Sequence, residues 1–305
     1  MTFVLAHLSD PHLGPLPRPR FGELMGKRSI GFLNWYRSRR GGHRAEVLQT
    51  LIRDLDAANP DHIAVAGDLV NIALPGEFAP ARAFLERLGP PERVSVVPGN
   101  HDAYVRAATE HTEHHWGDYM RSDELGRAPS PEAPARFPYL RRRGPMALIG
   151  VSTAAPSGLF MATGKIGSDQ LAALGTMLGM LNREAVFRVV MIHHPPTSTG
   201  RQRFKRLIDA SRFRAVLQEH GADLVLHGHT HVRSVVWLDG PAKPIPAVGV
   251  PSISASKELD HVRAGYNLYR IDAGSDGWRC EMVSRGLLSG GVEVGEVGRK
   301  VLAGW

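Results

Sequence analysis

Arg93-Val94-Ser95-Val96-Val97-Pro98-Gly99-Asn100-His101-Asp102 is a short apolar run that empties into a turn rich in side chains able to bind metal. A run of this length, bounded by Pro and Gly, is the pattern of a buried strand. The construction recurs along the chain. Phe3 to Leu8 ends at Asp10-Pro11-His12, and His62 to Ala66 ends at Gly67-Asp68. Phe187 to Ile192 ends at His193-His194-Pro195, and Leu224 to Leu226 leads into Gly228-His229-Thr230-His231. Between these runs the apolar residues change period. Val47, Leu48, Leu51, Ile52 and Leu55 recur at helical spacing within Ala45 to Ala58, and further helices are predicted over Glu77 to Leu88, Ser168 to Asn182 and around Phe213 to His220. Met146 to Val151 reads as another strand. Strand, polar loop and helix in succession make an α/β sheet. After His231 the texture changes to short runs, Val232 to Leu238, Ile245 to Val250, Tyr266 to Ile271 and Trp278 to Val283, which predict strands of a second sheet packed on the first.

All five polar islands fall at strand ends, where loops on one sheet edge bring side chains from distant parts of the chain together. Their chemistry suits a metal pair. Ions of the Mn, Fe and Zn kind accept imidazole and carboxylate ligands, and a carboxylate can bridge two of them ~3.5–4 Å apart. Asp10 and His12 stand one residue apart, so an extended loop can turn both to one ion. Asp68 follows a glycine that allows close backbone approach, as a bridging carboxylate requires. Asn100 offers a neutral carbonyl oxygen, and His193, His229 and His231 offer nitrogens.

The ordered series D-x-H, G-D, G-N-H-D, H and G-H-x-H resembles that of the calcineurin-like metallophosphoesterases over roughly Phe3 to Val232. The resemblance implies an α/β fold, a four-layer α/β/β/α sandwich, with two divalent or mixed-valence metal ions (Mn, Fe or Zn). It implies that Asp10, His12 and His231 hold one ion, that Asn100, His193 and His229 hold the other, and that Asp68 bridges. It also gives His101 a catalytic place beside the metals. An imidazole can protonate a departing alkoxide near neutral pH, and Asp102, next in sequence, is expected to orient that ring. Water activated by the metal pair, its pKa lowered toward ~7, is the implied nucleophile. The Gly-Asn-His-Asp and His-His-Pro-Pro texture resembles the diesterase branch of the family, so the expected substrate is a small phosphodiester, a cyclic nucleotide or glycerophosphodiester. A lipid-linked phosphodiester or pyrophosphate is the alternative. A nuclease and a non-catalytic scaffold are weaker readings, since no nuclease element is visible and no ligand of the series is missing.

The rest of the chain bounds these readings. Its 305 residues are 43% hydrophobic, enough for a sizeable core. The single Cys280 cannot form an internal disulfide, the start has no basic leader region, and no run approaches the ~18 apolar residues of a spanning helix, so a cytoplasmic protein is expected. The net charge of +7 suggests an anionic partner. Cations concentrate in an insertion at 13–44, with smaller clusters at Arg141 to Arg143 and Arg201 to Arg206. In the insertion Phe21, Leu24, Met25, Ile30, Phe32, Leu33, Trp35 and Tyr36 interleave with Lys27, Arg28, Arg37, Arg39 and Arg40. Such a segment fits either a cap with its apolar face buried or peripheral contact with anionic membrane lipid at the inner membrane surface. The expected organisation is one domain over 1–285 and a Gly-rich tail over 286–305, with homo-oligomerisation left open. His194 is expected to line the pocket and His227 to support the metal loop. His111 and His115 share a helix face, and His7, His43, His62, His220 and His261 are read as structural or exposed.

Overall fold

Because successive side chains of a strand point to opposite faces, strands such as Met146–Gly150 and Leu224–His227 divide their residues between two cores. The computed structural model describes residues 2–39, 42–123, 137–197, 204–256, 262–275, 277–289 and 293–304; Arg40, Arg201, Arg203 and His261 lie outside them, as does the Arg39 side chain. In chain order the strands are β1 (Phe3–Leu8), β2 (His62–Val65), β3 (Val94–Val96), β4 (Tyr139–Arg143), β5 (Met146–Gly150), β6 (Phe187–Met191), β7 (Leu224–His227), β8 (Ser234–Leu238), β9 (Ile245–Gly249), β10 (Gly265–Gly274), β11 (Gly277–Leu287) and β12 (Val294–Ala303). They form two six-stranded sheets, ordered β12-β11-β10-β1-β2-β3 and β4-β5-β6-β7-β9-β8. The helices are α1 (Lys27–Asn34), α2 (Ala45–Ala58), α3 (Pro75–Leu88), α4 (Ala108–Trp116), α5 (Ser168–Leu181) and α6 (Ala210–His220).

Leu148, Val189, Met191, Leu224 and Leu226 of the second sheet join one core with the first sheet and with Leu51, Leu55, Phe78 and Leu85 of α2 and α3. Their neighbours in sequence, Ala147, Ile149, Val190 and Val225, join a separate core with Leu171, Leu174 and Leu178 of α5 and Phe213 and Leu217 of α6. Each sheet therefore packs on the other through one face and on helices through its second face, which makes the expected α/β/β/α sandwich.

The division of strands between sheets differs from the sequence reading. The strands after His231 do not build the second sheet. β8 and β9 extend it, whereas β10 pairs antiparallel with β1 and carries β11 and β12 into the first sheet. The second sheet begins earlier, at β4, whose arginines conceal an apolar strand pattern. Arg141 is itself buried, donating to the Val94 carbonyl at 2.8 Å, the Asp118 carbonyl at 2.7 Å and the Arg121 carbonyl at 2.8 Å. The stretch read as a tail supplies the outer strand β12.

The insertion lies across the loops at the sheet edge. Arg28 of α1 donates to the Ile72 carbonyl at 3.3 Å and also to the Ala73 carbonyl. Gly31 is buried against Ile72 and Tyr104, where a Cβ would collide with both. Lys27 Nζ donates to the Ser157 hydroxyl at 2.9 Å and to the Met161 carbonyl at 3.2 Å. Phe21, Met25, Leu33 and Tyr36 remain exposed. No helix among the described residues is long and apolar enough to cross a membrane.

Candidate metal centre

β1 and β2 are parallel neighbours, as are β2 and β3, β5 and β6, and β6 and β7. Parallel pairing sends the loops that follow β1, β2, β3, β6 and β7 out of the same edge, where α/β sheets bind ligands. The first two loops are joined directly, with Asp10 N donating to the Gly67 carbonyl at 2.9 Å and His12 N to the Asp68 carbonyl at 3.1 Å. Asp10, His12, Asp68, His229 and His231 all have positive φ, between 41° and 66°. L-residues seldom adopt this region, at a cost of order 1–3 kcal/mol each, and such strain concentrates at functional sites. The motif glycines explain the compactness. A Cβ on Gly99 would strike Asp68 Oδ1 and His193 Cε1, and one on Gly228 would strike Asp10 Oδ2 and Ser9 Oγ.

The side chains meet in two groups around one carboxylate. His231 Nε2 lies 3.1 Å from Asp10 Oδ1 and 3.3 Å from His12 Nε2. Asn100 Oδ1 lies 2.8 Å from His229 Nδ1 and 3.3 Å from His193 Nε2. Asp68 Oδ2 stands between the groups, 3.8 Å from His12 Nε2 and 3.4 Å from His193 Nε2. All seven side chains expected as ligands thus converge, with the Asp68 carboxylate between the two groups. Their ring orientations fit metal binding too. His12 Nδ1 lies 3.2 Å from the Val70 carbonyl and His193 Nδ1 2.6 Å from the Ala66 carbonyl. An Nδ1–H donated to a carbonyl leaves the lone pair on Nε2, which is the tautomer a ligand needs. Burial opposes ionisation of both aspartates, but the imidazoles outweigh it. His231 and His193 hold Asp10 below the usual carboxylate range, and His193 and His101 do the same for Asp68. Buried anions facing imidazoles in this way form a donor set that a divalent ion would complete.

His101 lines the mouth of this centre, and its backbone N–H donates to Asp68 Oδ1 at 2.8 Å. Asp102 does not orient its ring, contrary to the sequence expectation. The ring Nδ1 rests on the Asn71 carbonyl, whereas the Asp102 carboxylate accepts the backbone N–H groups of Asp68, Leu69, Val70 and Gly99 at 2.8–3.1 Å. The tight turn after Gly99 sends neighbouring side chains in different directions. Asp102 thereby fixes the strained loop that carries Asp68. Burial, reinforced by the charge of Asp68, pushes Asp102 up to about 7 against the pull of those N–H groups. Glu77 braces the next part of the loop, accepting from Asn71 N at 2.6 Å and Leu74 N at 2.8 Å. Only its position three residues after Leu74, at the start of a helix, hinted at this role.

The remaining histidines divide clearly. His194 is buried with Nδ1 2.8 Å from Thr153 Oγ1 and Nε2 3.2 Å from the Ala162 carbonyl, its ring 4.3 Å from that of His229. His227 is buried beside Gly228, its Nδ1 3.2 Å from the Gly228 carbonyl. His111 and His115 stack on Phe78 at 5.2 and 6.1 Å. His7 and His62 are buried on the first sheet, near Tyr269 and Ser95 respectively, and His220 is half-buried. His43, by contrast, stands beside His12 with ring centroids 4.7 Å apart.

The model of the family described as calcineurin-like phosphoesterase matches residues 3–233. The chain belongs to this family. Among solved structures, this calcineurin-like phosphoesterase is similar to a dimetal phosphatase from Danio rerio, at 12% identity over 99% of both chains and a TM-score of 0.62. It is also similar to a purple acid phosphatase from yellow lupin seeds, at 12% identity over 94% of this chain and 52% of that one, with a TM-score of 0.56. A 5'-nucleotidase precursor from Thermus thermophilus matches at 15% identity over 92% of this chain and 54% of that one, with a TM-score of 0.51. At such identities the likeness is one of fold. No curated protein matches the sequence.

Proposed function

We propose that this phosphoesterase hydrolyses phosphodiesters. The observation that carries this reading is the space around the metal centre. A mouth of about 430 Å³ is lined by Asp68, Asn100, His101, His229, His231 and Lys205. A second cavity of about 590 Å³, lined by Pro11, Leu13, Pro15, Trp35 and Arg44, shares the His43 wall with it and reaches His12. A phosphoryl group at the metal centre therefore has room for a substituent on each side, which a diester uses and a monoester does not. The small soluble diesters suggested by the motif texture, cyclic nucleotides and glycerophosphodiesters, are compatible with these volumes.

Asp10, His12 and His231 would hold one ion, Asn100, His193 and His229 the other, and Asp68 would bridge them. Bound metals supply Lewis acidity toward phosphoryl oxygens and lower the pKa of water. The protein's own residues supply placement and proton transfer. Asp102 and Glu77 hold the Asp68 loop rigid, and Lys205 at the mouth attracts the anionic substrate. His101, steadied by the Asn71 carbonyl on Nδ1 and by the Tyr104 ring stacked at 5.7 Å, protonates the departing ester oxygen.

Exposed apolar side chains favour a second reading, the lipid-linked phosphodiester. Phe21 is 94% exposed and Phe160 78%, with Met25, Leu33, Leu159 and Phe204 also exposed. Lys27 ties α1 to the 157–161 loop, and Ala162 N ties that loop to Phe204 O at 2.9 Å beside the mouth. Apolar tips among cations suit an anionic lipid surface. The test compares metal-replete protein on bis(p-nitrophenyl) phosphate, p-nitrophenyl phosphate, cyclic nucleotides, glycerophosphodiesters and vesicles of anionic phospholipid. A kcat/KM for diesters at least tenfold above that for the monoester is expected, and monoester preference overturns the proposal. Sedimentation with the vesicles that is lost in Phe21→Ser/Phe160→Ser selects the lipid reading.

A further inference from the structure

His43 closes the insertion and belongs to no motif, yet the fold places it at the metal centre. It pairs across an isolated bridge with Ala255, Arg44 N donates to the Ser254 carbonyl at 2.9 Å, and Ser256 N donates to the Gly42 carbonyl at 3.0 Å. The loop carrying Ser252 and Ser254 is joined in turn to the end of β1, through a Ser9–Ser252 bridge and a bond from Ile253 N to the Ser9 carbonyl at 3.1 Å. Backbone pairing alone therefore fixes His43 beside Asp10 and His12.

The three rings of His12, His43 and His231 form a triangle, with centroids 4.7, 5.2 and 5.8 Å apart. One nitrogen from each lies within 4.8 Å of the others. The tautomer of His43 follows from two serines. The Ser254 hydroxyl donates to the Pro11 carbonyl at 2.6 Å and the Ser252 hydroxyl to the Asp10 carbonyl at 2.6 Å, so each has spent its only proton. Ser254 Oγ must then accept from His43 Nδ1, 2.7 Å away. This places the lone pair on Nε2, as the Val70 and Ala66 carbonyls do for His12 and His193.

We infer that His43 is a further imidazole ligand of the ion held by Asp10, His12 and His231, an inference that rests on the dimetal reading of the site. With it that position has three nitrogens beside its carboxylates, a donor set that favours Zn, Fe or Co over Mn or Mg. The insertion is then part of the metal centre as well as its cover.

The test measures bound metal by mass spectrometry after dialysis against metal-free buffer, and the visible absorption of the Co(II)-loaded protein, for wild type, His43→Ala, His43→Gln and Ser254→Ala. Wild type should retain two ions per chain. Loss of a direct ligand should weaken one ion by at least the ~10–100-fold typical of removing an outer partner, with a changed Co(II) spectrum. Ser254→Ala should weaken the same ion less. Two ions held with wild-type affinity and an unaltered spectrum in both His43 variants overturn the inference, whatever happens to turnover. Fewer than two ions in the wild type instead overturn the dimetal reading beneath it. Melting of the metal-free proteins checks the fold, and should His43→Ala fail to melt cooperatively, His43→Gln decides by the same two readouts.

Discussion

Asp68, His101 and Asp102 sit within a few ångströms of one another, and their removal should fail in three different ways. Asp68→Ala takes away the carboxylate between the two ligand groups, so metal content and turnover should be lost together. His101→Ala removes no member of either proposed ligand group. Because the His101 ring lies 4.9 Å from that of His12 without belonging to either group, the variant should keep its metals and slow turnover by about a hundredfold or more, the usual contribution of a positioned acid, and wild-type turnover in that variant would remove its role. Asp102→Ala strands four buried N–H groups, each costing ~1–3 kcal/mol when left unpaired. Chemical denaturation should show a loss on the order of 3–5 kcal/mol, and a loss under about 1 kcal/mol would contradict the account of that loop. The convergence of the side chains expected as ligands on one sheet edge was legible because type, spacing and position at strand ends agreed. The role of Asp102 was not, because adjacency to His101 in sequence says nothing about direction once the turn at Gly99 forms. His43 was invisible for a different reason: it reaches the site through pairing with residues more than two hundred positions away.

The insertion is the element whose sequence allowed two fates, cap or lipid-facing segment, and its structure has features of each. Gly31 and Arg28 fasten α1 to the Ile72–Ala73 stretch, while Leu33 and Tyr36 stay exposed. Trp35 lines both the 590 Å³ cavity and a 220 Å³ cavity that reaches His101. Trp35→Ala should therefore raise KM about tenfold for diesters with a large apolar substituent, the effect of losing roughly 1.4 kcal/mol of apolar contact, and leave the smallest diesters little changed. Equal effects on all substrates, with a lowered melting temperature, would make Trp35 a purely structural residue. The helices α2, α3, α5 and α6 were legible from apolar spacing because each buries one stripe. The strands β4 and β12 were not, because arginines and glycines break their alternation and long-range partners decide their pairing.

At the scale of the molecule, the two-sheet sandwich was anticipated, but not the way the chain returns from the second sheet to the first, since period alone does not name a strand's neighbour. The buried histidines of that first sheet, His7 and His62, contribute to its acid sensitivity. Burial, aided by Arg143 and Arg141, lowers His62 to about 3, so the folded protein keeps it neutral while the unfolded chain takes up a proton below about 6.5. Stability from this source is full above pH 6.5 and falls as pH drops toward 3. In chelator-treated protein, His62→Gln should flatten the decline of melting temperature across that window, and an unchanged slope would assign the acid sensitivity elsewhere. The proposed phosphoesterase chemistry needs a pair of ions at the sheet edge, bridged by Asp68. Its most direct test is metal stoichiometry by mass spectrometry on the purified wild type and on Asp68→Ala. The account requires close to two ions per wild-type chain and loss of the pair in the variant; one ion or none in the wild type, or two retained without Asp68, would contradict it.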